Sequence, residues 1–192
     1  MSTANKPLIG VLLAGGQSSR MGQDKASLAI AGTTLLEFMR AKLQQAGIDE
    51  VVICRNAPGY LNDSIPQLGP LGALYTLSQH YPERRALIIP VDMPLLRVAS
   101  LKAFAAATMD SNLPATSSQQ MFPLYLAFTP AVIEALHQRT HQPDDLSIAA
   151  FLRDTGGRQL SDLELHDDEY LNANTPQQWQ VILSKVETQL SE

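Results

Sequence analysis

The run Leu12-Leu13-Ala14-Gly15-Gly16-Gln17-Ser18-Ser19-Arg20-Met21-Gly22-Gln23-Asp24-Lys25 sets glycines, hydroxyls and two cations directly after an apolar stretch, Ile9-Gly10-Val11-Leu12-Leu13. The stretch reads as a short buried strand. Gly15-Gly16 admits backbone dihedrals that a side chain would block, so successive N–H groups can converge on an anion. Arg20 and Lys25 add positive charge. The chemistry this loop suits is the holding of a polyphosphate, the alternative being an ordinary Gly-rich turn. Two commoner phosphate loops do not fit. A Walker loop ends in Gly-Lys-Ser/Thr, whereas Gly22 precedes Gln23, and the dinucleotide fingerprint G-x-G-x-x-G does not match glycines at 15, 16 and 22.

A second candidate is Asp92. It follows the apolar run Ala86-Leu87-Ile88-Ile89 and stands between Pro90 and Pro94, which stiffen the turn and present the carboxylate at a strand end. A divalent-metal ligand is the natural role, since Mg²⁺ takes few protein carboxylates and completes its shell with water and phosphate oxygens. An Asx turn is the alternative. Asn62-Asp63-Ser64 is equally good turn chemistry, and Asn174 or Thr175 could simply cap a helix begun by Pro176.

These groups need elements to carry them. Short apolar runs alternate with helix-like stretches, which predicts an α/β fold: a three-layer α/β/α sandwich around a Rossmann-like, mostly parallel sheet. Thr34 is placed to cap a helix reaching about Ala46, and Gly47 to end it; Glu50–Cys54 reads as a strand, and Gly69-Pro70 opens a helix to about His80. Ser100 is expected to cap the helix after Asp92. Further on, Leu113–Thr116 and Pro123–Phe128 read as strands, Thr129-Pro130 and Leu146–Arg153 as helix, Arg158–Leu165 and Tyr170-Leu171 as short strands, and Pro176–Leu190 as a final amphipathic helix. In a parallel sheet ligands gather outside the carboxyl ends of strands, so the loop, Asp92 and the Asp63–Leu71 region should meet in space.

With 192 residues and 45% hydrophobic content the chain suits one domain. A formal charge of −5 argues against a general nucleic-acid surface and leaves room for a local basic pocket. The single cysteine, Cys54, excludes an intrachain disulfide, and no apolar stretch reaches membrane-spanning length; cytoplasmic residence with no membrane or nucleic-acid partner is the expectation. His137 and His141 share a helix face without a third ligand and read as surface residues.

The loop resembles the signature L-A-G-G-x-S-x-R-M-G-x-D-K of the molybdenum cofactor guanylyltransferases, within the nucleotidyltransferase superfamily. Pro90-Val91-Asp92-Met93-Pro94 is similar to that family's metal-binding segment, Gly69-Pro70-Leu71-Gly72 to its G-P-L-x-G element, and Asn172-Ala173-Asn174-Thr175-Pro176 to its N-x-N-T-P element. The resemblance implies transfer of GMP from GTP to a molybdenum–molybdopterin cofactor with Mg²⁺ and release of pyrophosphate. It implies nucleotide contacts at Leu13, Ala14, Gly15, Gly16, Ser18, Lys25, Asn56, Asp63 and Asp92, with Arg20, Lys25 and Asp92 in catalysis. Asn172 and Asn174 would stand near metal and phosphates on the acceptor side. It divides the chain into a nucleotide half, about 8–110, and an acceptor half, about 111–192, and allows cofactor-supplying or acceptor proteins as partners.

Two departures stand out. Cys54 occupies a position where the family often has Asn, and Asn56, expected on the same strand face, is the candidate replacement. The family's D-G-R-like turn is absent: Ser117-Ser118-Gln119-Gln120-Met121-Phe122 precedes Pro123-Leu124-Tyr125. Arg153 and Arg158, flanking Gly156-Gly157, are then the candidates for the acceptor's phosphate, against a solvated-surface reading. The alternatives to guanylyl transfer are a related enzyme using CTP or a sugar phosphate, and a catalytically silent nucleotide-binding accessory protein.

Overall fold

A computed structural model describes residues 7–15, 24–118, 120–142, 145–161, 163 and 165–191. The first half runs β1 (Leu8–Leu13), β2 (Ala29–Ile30), β3 (Thr33–Thr34), α1 (Leu35–Gln45), β4 (Val51–Cys54), α2 (Gly69–His80), β5 (Arg85–Pro90) and α3 (Val98–Thr108). The second runs β6 (Ala115–Ser117), β7 (Leu124–Ala127), α4 (Pro130–His141), α5 (Ile148–Asp154), β8 (Arg158–Leu160) and α6 (Pro176–Ser191).

Side chains that alternate along each strand divide the core into two layers. Ile9 and Val11 of β1, with Ala86 and Ile88 of β5, pack with Leu71, Leu74 and Leu77 of α2, Leu136 of α4 and Phe151 of α5. Leu12, Leu87 and Ile89 face the other way, against Met39 and Leu43 of α1, Phe104 of α3 and Ile182 of α6. Helices therefore cover both faces of a six-stranded sheet, ordered β4-β1-β5-β7-β6-β8. Only β7 runs against the others, pairing antiparallel with β5 and β6. Gly10 lets α1 approach β1: a Cβ there would stand 3.2 Å from Leu43 Cδ1 and 3.3 Å from Ile48 Cγ2.

Local signals place most boundaries. Thr34 Oγ1 accepts the Glu37 N–H and starts α1, while Thr129 Oγ1 accepts the Val132 N–H ahead of Pro130 in α4. The β2–β3 hairpin, unforeseen in the sequence, turns on Ala31 and Gly32 with φ of 48° and 78°, the paired positive values of a tight hairpin turn. Three expectations are corrected. Ser100 does not cap α3, which begins at Val98 with Arg97 at the cap position. Tyr170 closes a 3-10 turn, Asp167–Tyr170, instead of opening a strand, and β8 stops at Leu160 well short of Leu165.

Cys54 is buried beside Leu71 and Leu74, and burial pushes its thiol from 9.0 up to about 12, with the Asp63 charge adding to the rise. Below pH 9 the thiol is protonated whether the chain is folded or unfolded. As pH rises from 9 toward 12 the unfolded chain ionises first, so folding stability falls. Urea titrations at pH 8 and pH 10.5 should show the wild type losing more stability over that interval than Cys54→Ala. An equal loss in the two proteins would contradict this environment for the thiol.

Candidate active site

At the carboxyl edge of the sheet the ends of β1, β4 and β5 and the segment before α6 come together. Leu13 O accepts the Val91 N–H at 2.9 Å and Cys54 O accepts the Ala14 N–H at 2.9 Å, which holds the three strand exits in register. Asp24 follows; its Oδ1 accepts the Ala26 N–H at 3.2 Å and caps a 3-10 turn, Lys25–Ser27. The turn aims Lys25 across the sheet edge. Its ammonium donates to Asp92 Oδ2 at 2.8 Å and to Asn174 Oδ1 at 2.6 Å. Ala173 N–H donates to Asp92 O at 2.9 Å, so the segment carrying Asn172 and Asn174 is bonded to the Asp92 loop through the backbone as well. Thr175 Oγ1 accepts the Gln178 N–H at 3.2 Å; with the helix start served by Thr175, the Asn174 carboxamide oxygen turns to Lys25.

A cleft of about 160 Å³ lies over this group, bounded by Leu13, Gly15, Lys25, Pro90 and Asp92. It shares Ala14, Gly15 and Asp24 with a hollow of about 600 Å³ toward β4 and α2, bounded also by Arg55, Asn56 and Asp63. That combined space is in the range that accommodates a small organic ligand. Asn56 Nδ2–H donates to Asp63 Oδ2 at 2.9 Å, and Asp63 N–H donates to Asn56 Oδ1 at 2.8 Å, a reciprocal pair that fixes both side chains on the wall. Gly69, with φ of +58°, and Pro70 bring the N-terminus of α2 to the same cleft; among the described residues no side chain caps it, and its partial positive charge suits an anion.

The structure thus gathers Leu13, Ala14, Gly15, Lys25, Asn56, Asp63, Asp92 and Asn174, with Asn172 on the same segment between the 3-10 turn Asp167–Tyr170 and α6. Gly16, Ser18 and Arg20 lie outside the described residues. Cys54 and Asn56 do not share a face as expected: β4 ends at Cys54, whose side chain enters the core, and strand alternation no longer applies to Asn56. Arg153 and Arg158 are not brought to the cleft. Arg158 pairs with Ala115 at the start of β8, which puts it level with Leu87. That is three strands from β5 and five residues short of Asp92, or about 14 Å across the sheet and about 16 Å along it. Its guanidinium donates to Ser111 Oγ at 3.0 Å, and Arg153 lies exposed, 3.8 Å from Asp145. His137 and His141 stack with centroids 4.1 Å apart on α4. Among the described residues no three His, Cys, Asp or Glu cluster as metal ligands, and no helix is long and apolar enough to cross a membrane.

Asp24 and Arg55 are site residues that the sequence reading missed. Arg55 Nη2 lies 2.5 Å from Asp24 Oδ2 and spans the mouth between the β1 and β4 exits. Asp24 stands beside Lys25 in the loop signature, so the signal was there; Arg55, the residue after the buried Cys54, carried none.

Oxygen donors suit a hard divalent cation, and the Asp92 carboxylate and Asn174 carboxamide already converge on a positive charge. One acidic ligand suffices for Mg²⁺ or Mn²⁺ when water and phosphate complete the shell. The residues present fit such an ion.

The chain is similar to known proteins in sequence and in fold. The family model described as MobA-like NTP transferase domain matches residues 10–161. The molybdenum cofactor guanylyltransferase of Xanthomonas euvesicatoria pv. vesicatoria is 38% identical over 181 residues, covering 92% of this chain and 95% of that one. Among solved structures, molybdopterin-guanine dinucleotide biosynthesis protein A from Archaeoglobus fulgidus superposes with a TM-score of 0.74 at 15% identity, over 94% of this chain and 99% of its own. A Mycobacterium tuberculosis protein solved with manganese gives 0.59 at 16% identity, over 93% and 99%. The two structures establish likeness of fold, and the sequence matches, which extend over most of the molecule, establish kinship: the chain belongs to the molybdenum cofactor guanylyltransferase family of MobA-like nucleotidyltransferases.

Proposed function

We propose that this protein transfers GMP from GTP to the terminal phosphate of a molybdenum–molybdopterin cofactor. An acceptor phosphate oxygen attacks the α-phosphorus in line, the bond from that phosphorus to the β-phosphate oxygen breaks, and pyrophosphate leaves with the electron pair. The observation that carries the reading is the convergence of Lys25, Asp92 and Asn174 beside the exit of β1.

Lys25 is the cation for the triphosphate: its ammonium, already at the cleft floor, neutralises charge that grows on the departing oxygens. Asp92 and Asn174 present oxygens to Mg²⁺, which supplies Lewis-acid stabilisation of the phosphates when bound. Leu13, Ala14 and Gly15 furnish the backbone wall. The N-terminus of α2 adds a partial positive charge. Asp63, held by Asn56, is the acceptor for the guanine N1–H and exocyclic amine, two donors that adenine and cytosine do not present together. Asn172 and Asn174 sit on the acceptor side, where carboxamides can bond phosphate without adding negative charge. In this reading the chain is one nucleotidyltransferase domain acting in the cytoplasm. The nucleotide half covers about 8–110 and the acceptor half about 111–192.

Lys25→Ala should lower turnover by about 10²-fold or more, a loss far larger than its effect on thermal stability, because a cation facing developing charge contributes mainly to the transition state. Steady-state rates of pyrophosphate release, with a melting curve on the same sample, check both parts. With Mg²⁺ and molybdenum-loaded molybdopterin, GTP should outcompete CTP and ATP; equal use of CTP would assign the protein to cytidylyl chemistry. Replacing Arg153 and Arg158 together by Ala should alter affinity for neither GTP nor molybdopterin, since both lie away from the cleft. Selective loss of molybdopterin binding in that double variant would restore them to the acceptor site.

A further inference from the structure

Two buried ionisable side chains lie behind the Asp92 loop, and neither lines the cleft. Lys42 projects from α1, is 9% exposed, and donates to Pro94 O and Leu96 O at 2.7 Å each, with the Phe38 ring centroid 4.9 Å from the ammonium. Glu169 is fully buried in the 3-10 turn that leads to Asn172 and Asn174. Its Oε2 accepts the Arg97 N–H at 2.7 Å, and its Oε1 accepts Ser100 Oγ–H at 2.9 Å and the His166 N–H at 3.1 Å. The loop is consequently fixed from outside at four points: Asp92 O by Ala173, Pro94 O and Leu96 O by Lys42, and Arg97 N–H by Glu169.

Ionised groups are a costly way to pack an interior. Burial lowers the Lys42 ammonium to about 8, against the raising effect of Glu169. Apolar side chains of similar volume often replace buried charges with no loss of stability, so stability alone does not call for this pair. A charge-assisted bond to a named carbonyl supplies orientation, which an apolar contact does not. The oriented segment here begins at the residue that carries the metal-facing carboxylate.

We propose that Lys42 and Glu169 are positioning residues for nucleotidyl transfer: by clamping the loop from Asp92 to Arg97 they set the direction in which Asp92 presents its carboxylate to a divalent cation. The inference rests on the reading of Asp92 given above as a metal ligand.

The test uses Mn²⁺ as the probe, its binding to the protein with GTP read by electron paramagnetic resonance beside kcat, KM and a melting curve. Lys42→Met, which keeps the stem and removes the ammonium, should weaken Mn²⁺ binding by about tenfold or more, the scale seen when partners of metal ligands are removed. It should lower kcat while KM for GTP at saturating metal moves little, and Lys42→Arg should recover most of the loss. In an Asp92→Asn background Lys42→Met should cause no further loss of Mn²⁺ affinity, because the two changes act through one carboxylate. If Lys42→Met does not fold, Glu169→Gln, which keeps shape and removes charge, takes its place in each comparison. A folded variant that binds Mn²⁺ with wild-type affinity, or losses that add in the Asp92→Asn background, overturns the positioning role. Unchanged Mn²⁺ affinity in Asp92→Asn alone overturns the metal-ligand reading, and the positioning role with it.

Discussion

An ammonium group shared between a carboxylate and a carboxamide holds the cleft together. Lys25 and Asn174 are 149 residues apart in the chain, and Asp92 lies between them in sequence, yet their polar atoms meet within 2.8 Å. Exposed ion pairs contribute little to stability because water and salt screen them. Here Lys25 and Asp92 are only 17% and 22% exposed, and a second acceptor shares the charge. The contact is possible because β1 and β5 are parallel neighbours, with Leu13 opposite Pro90. Moving that register by one residue would turn the apolar faces over and separate the groups at the strand exits.

The two helical layers meet their polar needs differently. On the α2/α4 side the buried hydroxyls of Thr76, Ser78 and Thr140 bond to carbonyls of their own helices, and Thr76 Oγ1 also accepts the Ser64 N–H at 2.9 Å, a tie to the segment leading into α2. On the α1/α3 side Lys42 bonds two carbonyls of the Asp92 loop, and Glu169 takes the Arg97 N–H and the Ser100 hydroxyl at the start of α3 besides the His166 N–H of its own turn. Glu169 also serves as the missing cap of α3: its carboxylate takes the Arg97 N–H at the positive end of the helix dipole, the place where a buried anion costs least. The layer beneath the Asp92 loop is thereby the one whose buried ionisable side chains are tied to that loop.

This also explains the fate of Ser100. A serine three residues into a helix has the chemistry of a cap, and its neighbours in sequence do not reveal a carboxylate arriving from residue 169. With Glu169 present, the Ser100 hydroxyl donates to it at 2.9 Å and the helix starts earlier, at Val98. The same logic separates Cys54 from Asn56. Strand alternation holds only as far as the strand, and β4 ends where the neighbouring chain stops pairing with it.

Local patterns along the chain set the layers and the edge of the sheet that carries the cleft. Short continuous apolar runs, the Thr34 and Thr129 caps and the prolines around Asp92 act over a few residues, within reach of a local reading, and the loop signature carried Asp24 and Lys25 with it. Tertiary structure alone decided which groups meet: Asn174 with Lys25 instead of the α6 helix start, Asn56 with Asp63, Glu169 with the start of α3, and Arg158 with Ser111 on the far side of the sheet. The physical reason is that capping and amphipathicity are satisfied by neighbours along the chain, whereas a buried charge or carboxamide takes its partner from whatever strand order and register bring within 3 Å. A local pattern specifies that such a group needs a partner; the sheet topology selects the partner.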